Sequence, residues 1–94
     1  MYAAIRIYDE AEGLADGATE DQERILGMFR EIAGFGSYYA VRTGPTSVAT
    51  ITICDDQAAA EASVQAARDY IAANWAHLSV SAPKVYVGEV AMNG

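Results

Sequence analysis

Histidine, cysteine and proline are scarce in this chain of 94 residues, and their scarcity limits its chemistry. There are one histidine (His77), one cysteine (Cys54) and two prolines. One histidine and one cysteine without ligand spacing do not make a metal site, so we expect no metal. A single cysteine cannot close a disulfide within the chain, which favours a reducing compartment and the cytoplasm as location. No phosphate-binding glycine loop, nucleophile elbow or Ser–His–Asp pattern is present to indicate a reaction.

Positive charge and long apolar runs are also limited. Six basic residues face 13 acidic ones, and the net charge of −7 would repel a phosphate backbone, so nucleic acid is not an expected partner. No apolar run approaches the roughly 20 residues of a membrane span. The first nine residues lack the basic and apolar regions of a signal peptide and are typical of a strand. With 52% hydrophobic residues, we predict one folded domain over residues 1–94.

The apolar patterns predict the element order β-α-β-β-α-β. Strands are predicted at residues 2–8, 35–42, 47–54 and 84–92, with an irregular loop at 9–18. Thr19 and Gln22 form a capping-box pattern for a first helix that ends before Gly34, and Asp55-Asp56 caps an alanine-rich second helix that runs to about Ala76. This order predicts a ferredoxin-like α+β fold, a four-stranded antiparallel sheet with two helices on one face.

The predicted strands have two different faces. The aliphatic parity contains Ile5, Ile7, Tyr39, Val41, Ala49, Ile51, Ile53, Val85 and Val87, and we expect it to face the helices. The other parity carries tyrosine, threonine and arginine, and we expect it to form a homodimer interface that includes Tyr8, Tyr38, Arg42, Thr50 and Tyr86. Arg6 and Arg42 would bind an anion there or pair with acids across the dimer.

The second helix carries a polar edge beside its apolar stripe, which is typical of a pocket wall. His77 and Asn74 on this edge are the weak catalytic candidates, since His77 alone titrates near neutrality. Tyr39, Tyr70 and Trp75 are the candidate pocket residues. The alternatives are a histidine that only stabilises a helix end, a tryptophan that belongs to the core and a polar edge that is ordinary surface.

Three stretches of the chain resemble a known family: Gly34–Arg42, Val48–Ala58 and Val85–Val90. Their glycine, hairpin, acidic cap, alanine-rich helix and final strand resemble the dimeric α+β barrel superfamily, especially its antibiotic biosynthesis monooxygenase-like members. The resemblance implies two sheets that face each other across a dimer, and a pocket between helices and sheet in each subunit. Some members oxidise polycyclic aromatic substrates with molecular oxygen and no cofactor. Haem-degrading members rely on an asparagine in the first strand, where this chain has Arg6, so no cofactor is expected.

Two functional hypotheses follow. The first is a cofactor-independent monooxygenase, an oxygenase-type oxidoreductase, in which His77 or Asn74 positions or deprotonates a small aromatic or phenolic substrate that Tyr39 and Tyr70 orient. The second is a non-catalytic dimeric module that binds a small ligand or only associates, which the small side chains of the second helix favour. An RNA-recognition domain shares the strand order, but its basic, glycine-aromatic signature is absent.

Overall fold

The chain forms seven elements in a computed structural model that describes residues 1–78 and 80–94. Their bounds are β1 Tyr2–Tyr8, α1 Leu14–Glu20, α2 Gln22–Arg30, β2 Phe35–Arg42, β3 Val48–Cys54, α3 Gln57–Asn74 and β4 Lys84–Glu89. The strands pair antiparallel in one sheet of order β2-β3-β1-β4, so β1 is central and β2 and β4 are the edges. The predicted α+β, ferredoxin-like fold is confirmed. Within the described residues no helix is both long and apolar enough to cross a bilayer.

The long helix α3 begins where the acidic pair predicted. The Asp56 carboxylate accepts a hydrogen bond of 2.8 Å from the backbone N–H of Ala59, which satisfies one free donor of the first turn. The helix ends at Asn74, with Trp75 as its C-cap, two residues earlier than predicted. The buried face of α3 consists of small side chains, Ala59, Ala60, Ser63 and Ala67. Small side chains let the helix backbone lie close to the sheet.

The predicted loop at 9–18 is wrong in its second half, because α1 begins at Leu14. Thr19 lies inside α1 and donates its hydroxyl to the Ala15 carbonyl at 3.0 Å, so it is not a helix N-cap. The helix begins after Gly13, whose φ of 84° lies in the left-handed region, and it buries Leu14. No side chain caps it and Gly17 lies within it, so tertiary packing rather than local propensity stabilises α1.

The predicted assignment of the two sheet faces is also wrong for β1, β2 and β3. The face beneath the helices carries the buried residues Ala4, Arg6, Tyr8, Val48, Thr50, Thr52 and Cys54. The aliphatic residues Ile5, Ile7, Ala49, Ile51 and Ile53 point to the opposite, open face, together with the exposed Tyr39 and Val41. On this face Arg6 bonds to Thr50 and to α3, and Tyr38 stacks on Phe29 of α2 at 4.7 Å between ring centroids. Thr52 is fully buried without a hydrogen-bond partner for its hydroxyl among the described residues.

Strand β4 is the exception, because its residues lie on the faces that were predicted for them. Val85 pairs with Arg6 and Val87 with Ala4, so both valines lie on the helix side. Tyr86 pairs with Ile5 and lies on the open face, where it is 56% exposed. Directly opposed residues of antiparallel strands share a face, so the register alone decides this placement.

Candidate functional site

A buried arginine lies at the centre of the sheet, beneath the helices. Arg6 on β1 is 2% exposed, and its Nε donates to the Thr50 hydroxyl at 2.8 Å. Its Nη1 donates to the backbone carbonyl of Ser63 in α3 at 3.0 Å. The guanidinium carbon lies 5.8 Å from the centroid of the Phe29 ring, within cation–π range. These contacts hold the guanidinium group in one position between sheet and helix.

This buried cation has no carboxylate partner among the described residues. The ion pairs found there are Arg24–Asp21, Arg42–Asp16 and Lys84–Asp9, all at the surface. An arginine cannot lose its proton to escape burial, and an unpaired buried charge is costly. The hydrogen bonds to Thr50 and Ser63 use two of its five N–H groups, and the Tyr38 hydroxyl lies within hydrogen-bonding reach of the guanidinium group. A bound anion would offset the charge.

Two tyrosines, Tyr8 and Tyr38, line the same cavity as Arg6. Burial raises the pKa of both Tyr8 and Tyr38, and the charge of Arg6 partly opposes that rise. Both phenols are thus protonated at neutral pH and can donate hydrogen bonds. Tyr8 is only 3% exposed. Among the described residues, the buried side-chain oxygen without a hydrogen-bond partner is Oγ1 of Thr52, on the same face of the sheet.

These groups line a cavity of about 30 Å³ between the helices and the sheet. Its polar end is formed by Arg6, Tyr8, Tyr38 and Thr50, and its apolar walls by Leu14, Ala18, Ile25, Met28, Phe29, Ala40, Val48, Ala67, Tyr70, Ile71 and Trp75. A water molecule needs roughly 10–15 Å³ of such volume, so one or two waters fit and an aromatic ring requires the walls to move outward. A groove of about 330 Å³ at the edge strand β2 shares Ala18, Ile25, Tyr38 and Ala40 with the cavity.

Tyr70 connects the cavity wall to a carboxylate. Its hydroxyl donates to Asp21, between α1 and α2, at 2.9 Å, and the Trp75 ring packs edge-on against it at 5.1 Å between centroids. Burial, followed by the hydrogen bond to Asp21, raises the pKa of Tyr70. The Asp21 side chain is 27% exposed and contacts Arg24 at 3.8 Å. The pair can pass a proton from the cavity to a partly exposed carboxylate.

The structure separates the residues that the sequence grouped into one pocket. Tyr70 and Trp75 line the cavity, whereas Tyr39 is on the open face of the sheet and 56% exposed. Asn74 lies outside the cavity lining, where its Nδ2 donates to the Tyr70 carbonyl and its Oδ1 accepts from Arg24 at 3.0 Å. His77 is exposed in the turn after α3 and does not line the cavity.

Most of the predicted interface residues do not lie on the open face. Tyr8, Tyr38 and Thr50 project beneath the helices, so their assignment to an open-face interface is wrong. Arg42 is exposed on the helix side and pairs with Asp16 of α1 at 3.0 Å. Of that set, only Tyr86 lies on the open face.

Arg6 lines the cavity but was not among the pocket residues predicted from the sequence. Its signal is a charged residue in the middle of a strand, flanked by isoleucines at positions 5 and 7. The alternation of apolar and polar residues along this strand by itself predicts that the Arg6 side chain faces solvent. No described cluster of three histidine, cysteine or acidic side chains could hold a metal ion.

A four-stranded antiparallel sheet with helices on one face defines the ferredoxin-like α+β class of folds. The chain has the fold of antibiotic biosynthesis monooxygenase-like proteins, as the sequence resemblance indicated. No protein-family model and no curated protein sequence matches it.

The chain is similar in structure to several solved proteins. A protein of unknown function from Nitrosomonas europaea superposes with a TM-score of 0.72 at 21% identity, covering 99% of this chain and 92% of that one. A variant of SnoaB, a cofactor-independent oxygenase from Streptomyces nogalater, has a TM-score of 0.66 at 15% identity, with 98% and 94% covered. A protein from Chloroflexus aurantiacus assigned to the antibiotic biosynthesis monooxygenases has a TM-score of 0.63 at 20% identity, with 99% and 96% covered. At these identities the likeness establishes the fold.

Proposed function

We propose that this protein is a cofactor-independent monooxygenase that acts on a small phenolic or aromatic compound bound between the helices and the sheet. The observation that carries the proposal is Arg6, a buried and permanently charged group at the polar end of an otherwise apolar cavity. The fold shared with SnoaB, itself a cofactor-independent oxygenase, supports the same reaction class.

The chemistry requires a substrate that supplies its own electrons. Deprotonation of a phenol gives an electron-rich anion, and a fixed guanidinium group stabilises the negative charge as it develops. A ring carbon that carries two hydrogens is then oxidised to a carbonyl. One atom of O2 enters the product and the other leaves as water, so no external reductant is needed.

Proton transfer is the role that Tyr70 and Asp21 support. Tyr70 lines the cavity and its hydroxyl donates to the Asp21 carboxylate. In this proposal the hydroxyl accepts a substrate proton while passing its own to Asp21. In this proposal Arg6, Tyr8 and Tyr38 hold the substrate oxygen. His77 and Asn74, the sequence candidates, lie outside the lining and have no assigned step.

Entry of the substrate would use α1. This helix has seven residues, lacks a side-chain cap and contains Gly17, which lies against the Trp75 ring. It also borders both the cavity and the groove at β2 through Ala18. An outward movement of α1 would join the two spaces and make room for a ring.

Oxygen uptake with a hydroxyanthrone as substrate, in the presence of a metal chelator, tests the proposal. Arg6→Met should reduce the enzyme-dependent rate at least about 100-fold, as loss of a group that stabilises the developing charge does. The surface variant Arg30→Gln changes the net charge equally and should keep the rate. If wild type does not exceed the protein-free rate, or if Arg6→Met matches wild type, the proposal fails.

The alternative is a binding module without catalysis, and the small volume of the cavity favours it. Under this alternative a phenol binds and quenches the fluorescence of Trp75, the one tryptophan of the chain, but no oxygen is consumed.

For the open face of the sheet we propose a second copy of the chain as partner. Ile5, Ile7, Ile51, Tyr39 and Tyr86 share this face, and helices cover only the other side. An aliphatic and aromatic surface of this kind is typical of an interface. The partner is the one predicted from the sequence, but apart from Tyr86 the residues that would form the interface are different.

A further inference from the structure

A second cavity lies beside the one described above, on the other side of Arg6 and Tyr8. It is a groove of about 410 Å³ between α3 and the segment at 80–85. Its lining consists of Arg6, Tyr8, Val64, Arg68, Ile71, Ala72, Val80, Ser81, Ala82, Pro83 and Val85. Most of these side chains are apolar. The groove is large enough for a two-ring compound without any movement of the helices.

The charge in this groove is opposite to the charge of the protein. The chain has 13 acidic residues and a net charge of −7, yet no aspartate or glutamate lines the groove. Its charged side chains are Arg6 and Arg68, and Arg68 pairs with no acid among the described residues. Two cations in an apolar cleft create a local positive potential that attracts an anion.

Tyr8 lines the groove together with both arginines and is only 3% exposed. Burial raises the pKa of Tyr8, and the charges of Arg6 and Arg68 partly oppose that rise. The hydroxyl is therefore protonated at neutral pH and can donate a hydrogen bond to a ligand oxygen in the groove.

We infer that the groove binds an apolar molecule carrying one carboxylate, which Arg6, Arg68 and Tyr8 hold while the apolar body packs along Ile71 and Val85. The inference deepens the proposed function and rests on it, since Arg6 and Tyr8 line both cavities and a substrate that fills both would present its anionic group here. Arg68 is then a specificity-determining residue for the acidic form of the substrate.

Calorimetric binding of naphthoate and naphthamide to the intact protein tests this inference, because the two compounds share size and ring but differ in charge. Naphthoate should bind about tenfold or more tightly than naphthamide, as expected for a charge-assisted pair with arginine. Arg68→Gln should reduce that ratio to about twofold, and Arg68→Lys should restore part of it. The matched control Arg30→Gln, with the same change in net charge, should leave the ratio unchanged.

A second variant tests the contribution of the buried Tyr8 to ligand binding. Tyr8→Phe removes only the hydroxyl and keeps the ring, so naphthoate affinity should drop about fivefold with the lost hydrogen bond while the thermal midpoint stays near that of wild type. Equal binding of the two compounds, no binding of either, or equal effects of Arg68→Gln and Arg30→Gln would overturn the inference. Naphthoate selectivity without oxygen uptake from any phenol rejects the oxygenase and keeps the carboxylate groove. Oxygen uptake without selectivity for naphthoate keeps the oxygenase and rejects the carboxylate groove.

Discussion

Arg6 and Ser63 are 57 positions apart in sequence, and a 3.0 Å hydrogen bond joins the guanidinium Nη1 of one to the backbone carbonyl of the other. The bond links the central strand β1 to the middle of α3. Ser63 is fully buried, and its own hydroxyl donates to the Ala60 carbonyl at 2.6 Å. The contact between α3 and the sheet is therefore polar at Arg6, which lines both cavities.

Replacement of Arg6 should separate stability from function. Arg6→Met retains bulk and removes a buried charge that has no carboxylate partner, so the free energy of unfolding should stay the same or rise by up to about 2 kcal/mol. Urea unfolding measures this change, with Arg30→Gln as the surface control. A loss of more than about 3 kcal/mol would mean that Arg6 serves mainly to hold the fold together.

Loss of the Tyr70 hydroxyl should slow proton transfer. Tyr70→Phe keeps the ring against Trp75 but breaks the bond to Asp21, and kcat should fall about 10- to 100-fold with little change in KM. Asp21→Asn should show a loss in the same range. Steady-state oxygen uptake measures both, and the exposed Tyr86→Phe on the other face is the matched control. Unchanged kcat in Tyr70→Phe would remove this residue from the proposed mechanism.

The buried tyrosines should make the fold sensitive to alkaline pH. Burial raises the pKa of Tyr8 and Tyr38 above the unfolded value near 10, so below that pH their neutral forms add no pH dependence. As pH rises through 10, the unfolded chain releases these protons first, and stability falls by up to about 1.4 kcal/mol per pH unit for each group. Urea unfolding between pH 8 and about 11.5 should show a steeper decline in wild type than in Tyr8→Phe. Parallel curves would contradict the burial of this phenol.

The cap of α3 should contribute measurably to stability. Asp56→Ala removes the acceptor for the Ala59 N–H and should cost about 1 kcal/mol of unfolding free energy. Asp55→Ala is the matched control, since it removes the same charge from the adjacent position, where the side chain forms no cap. Thermal or urea unfolding measures both variants. An equal loss of unfolding free energy in the two would contradict the assignment of Asp56 as the cap.

A charge on the open face should prevent association. Ile51→Glu places a carboxylate at the centre of the aliphatic face and should shift sedimentation at micromolar concentration from dimer to monomer, because burial of an unpaired charge costs several kcal/mol (roughly). Ala62→Glu, on the exposed side of α3, adds the same charge and should leave the dimer intact. Sedimentation of wild type as a monomer would refute the proposed partner.

Hydrophobic periodicity and caps were sufficient to predict most of the elements. Strands β1 and β2 have the predicted bounds, β3 begins one residue later and α3 begins at the predicted cap. These features depend on neighbours in sequence, such as Asp56 and Ala59. The short helix α1 escaped prediction because it has no side-chain cap, and burial of Leu14 against distant residues stabilises it.

The sequence by itself determined the four strands and the two longer helices in their order, and with them the antiparallel sheet. Which sheet face meets the helices was decided only by the tertiary structure. Strand alternation separates two faces but does not say which one is covered when both can be buried, and tyrosine, threonine and arginine bury well once partners are supplied. For Arg6 those partners are Thr50 and Ser63, 44 and 57 positions away. No local pattern encodes such contacts, and therefore the site at Arg6 emerged only when the chain was folded.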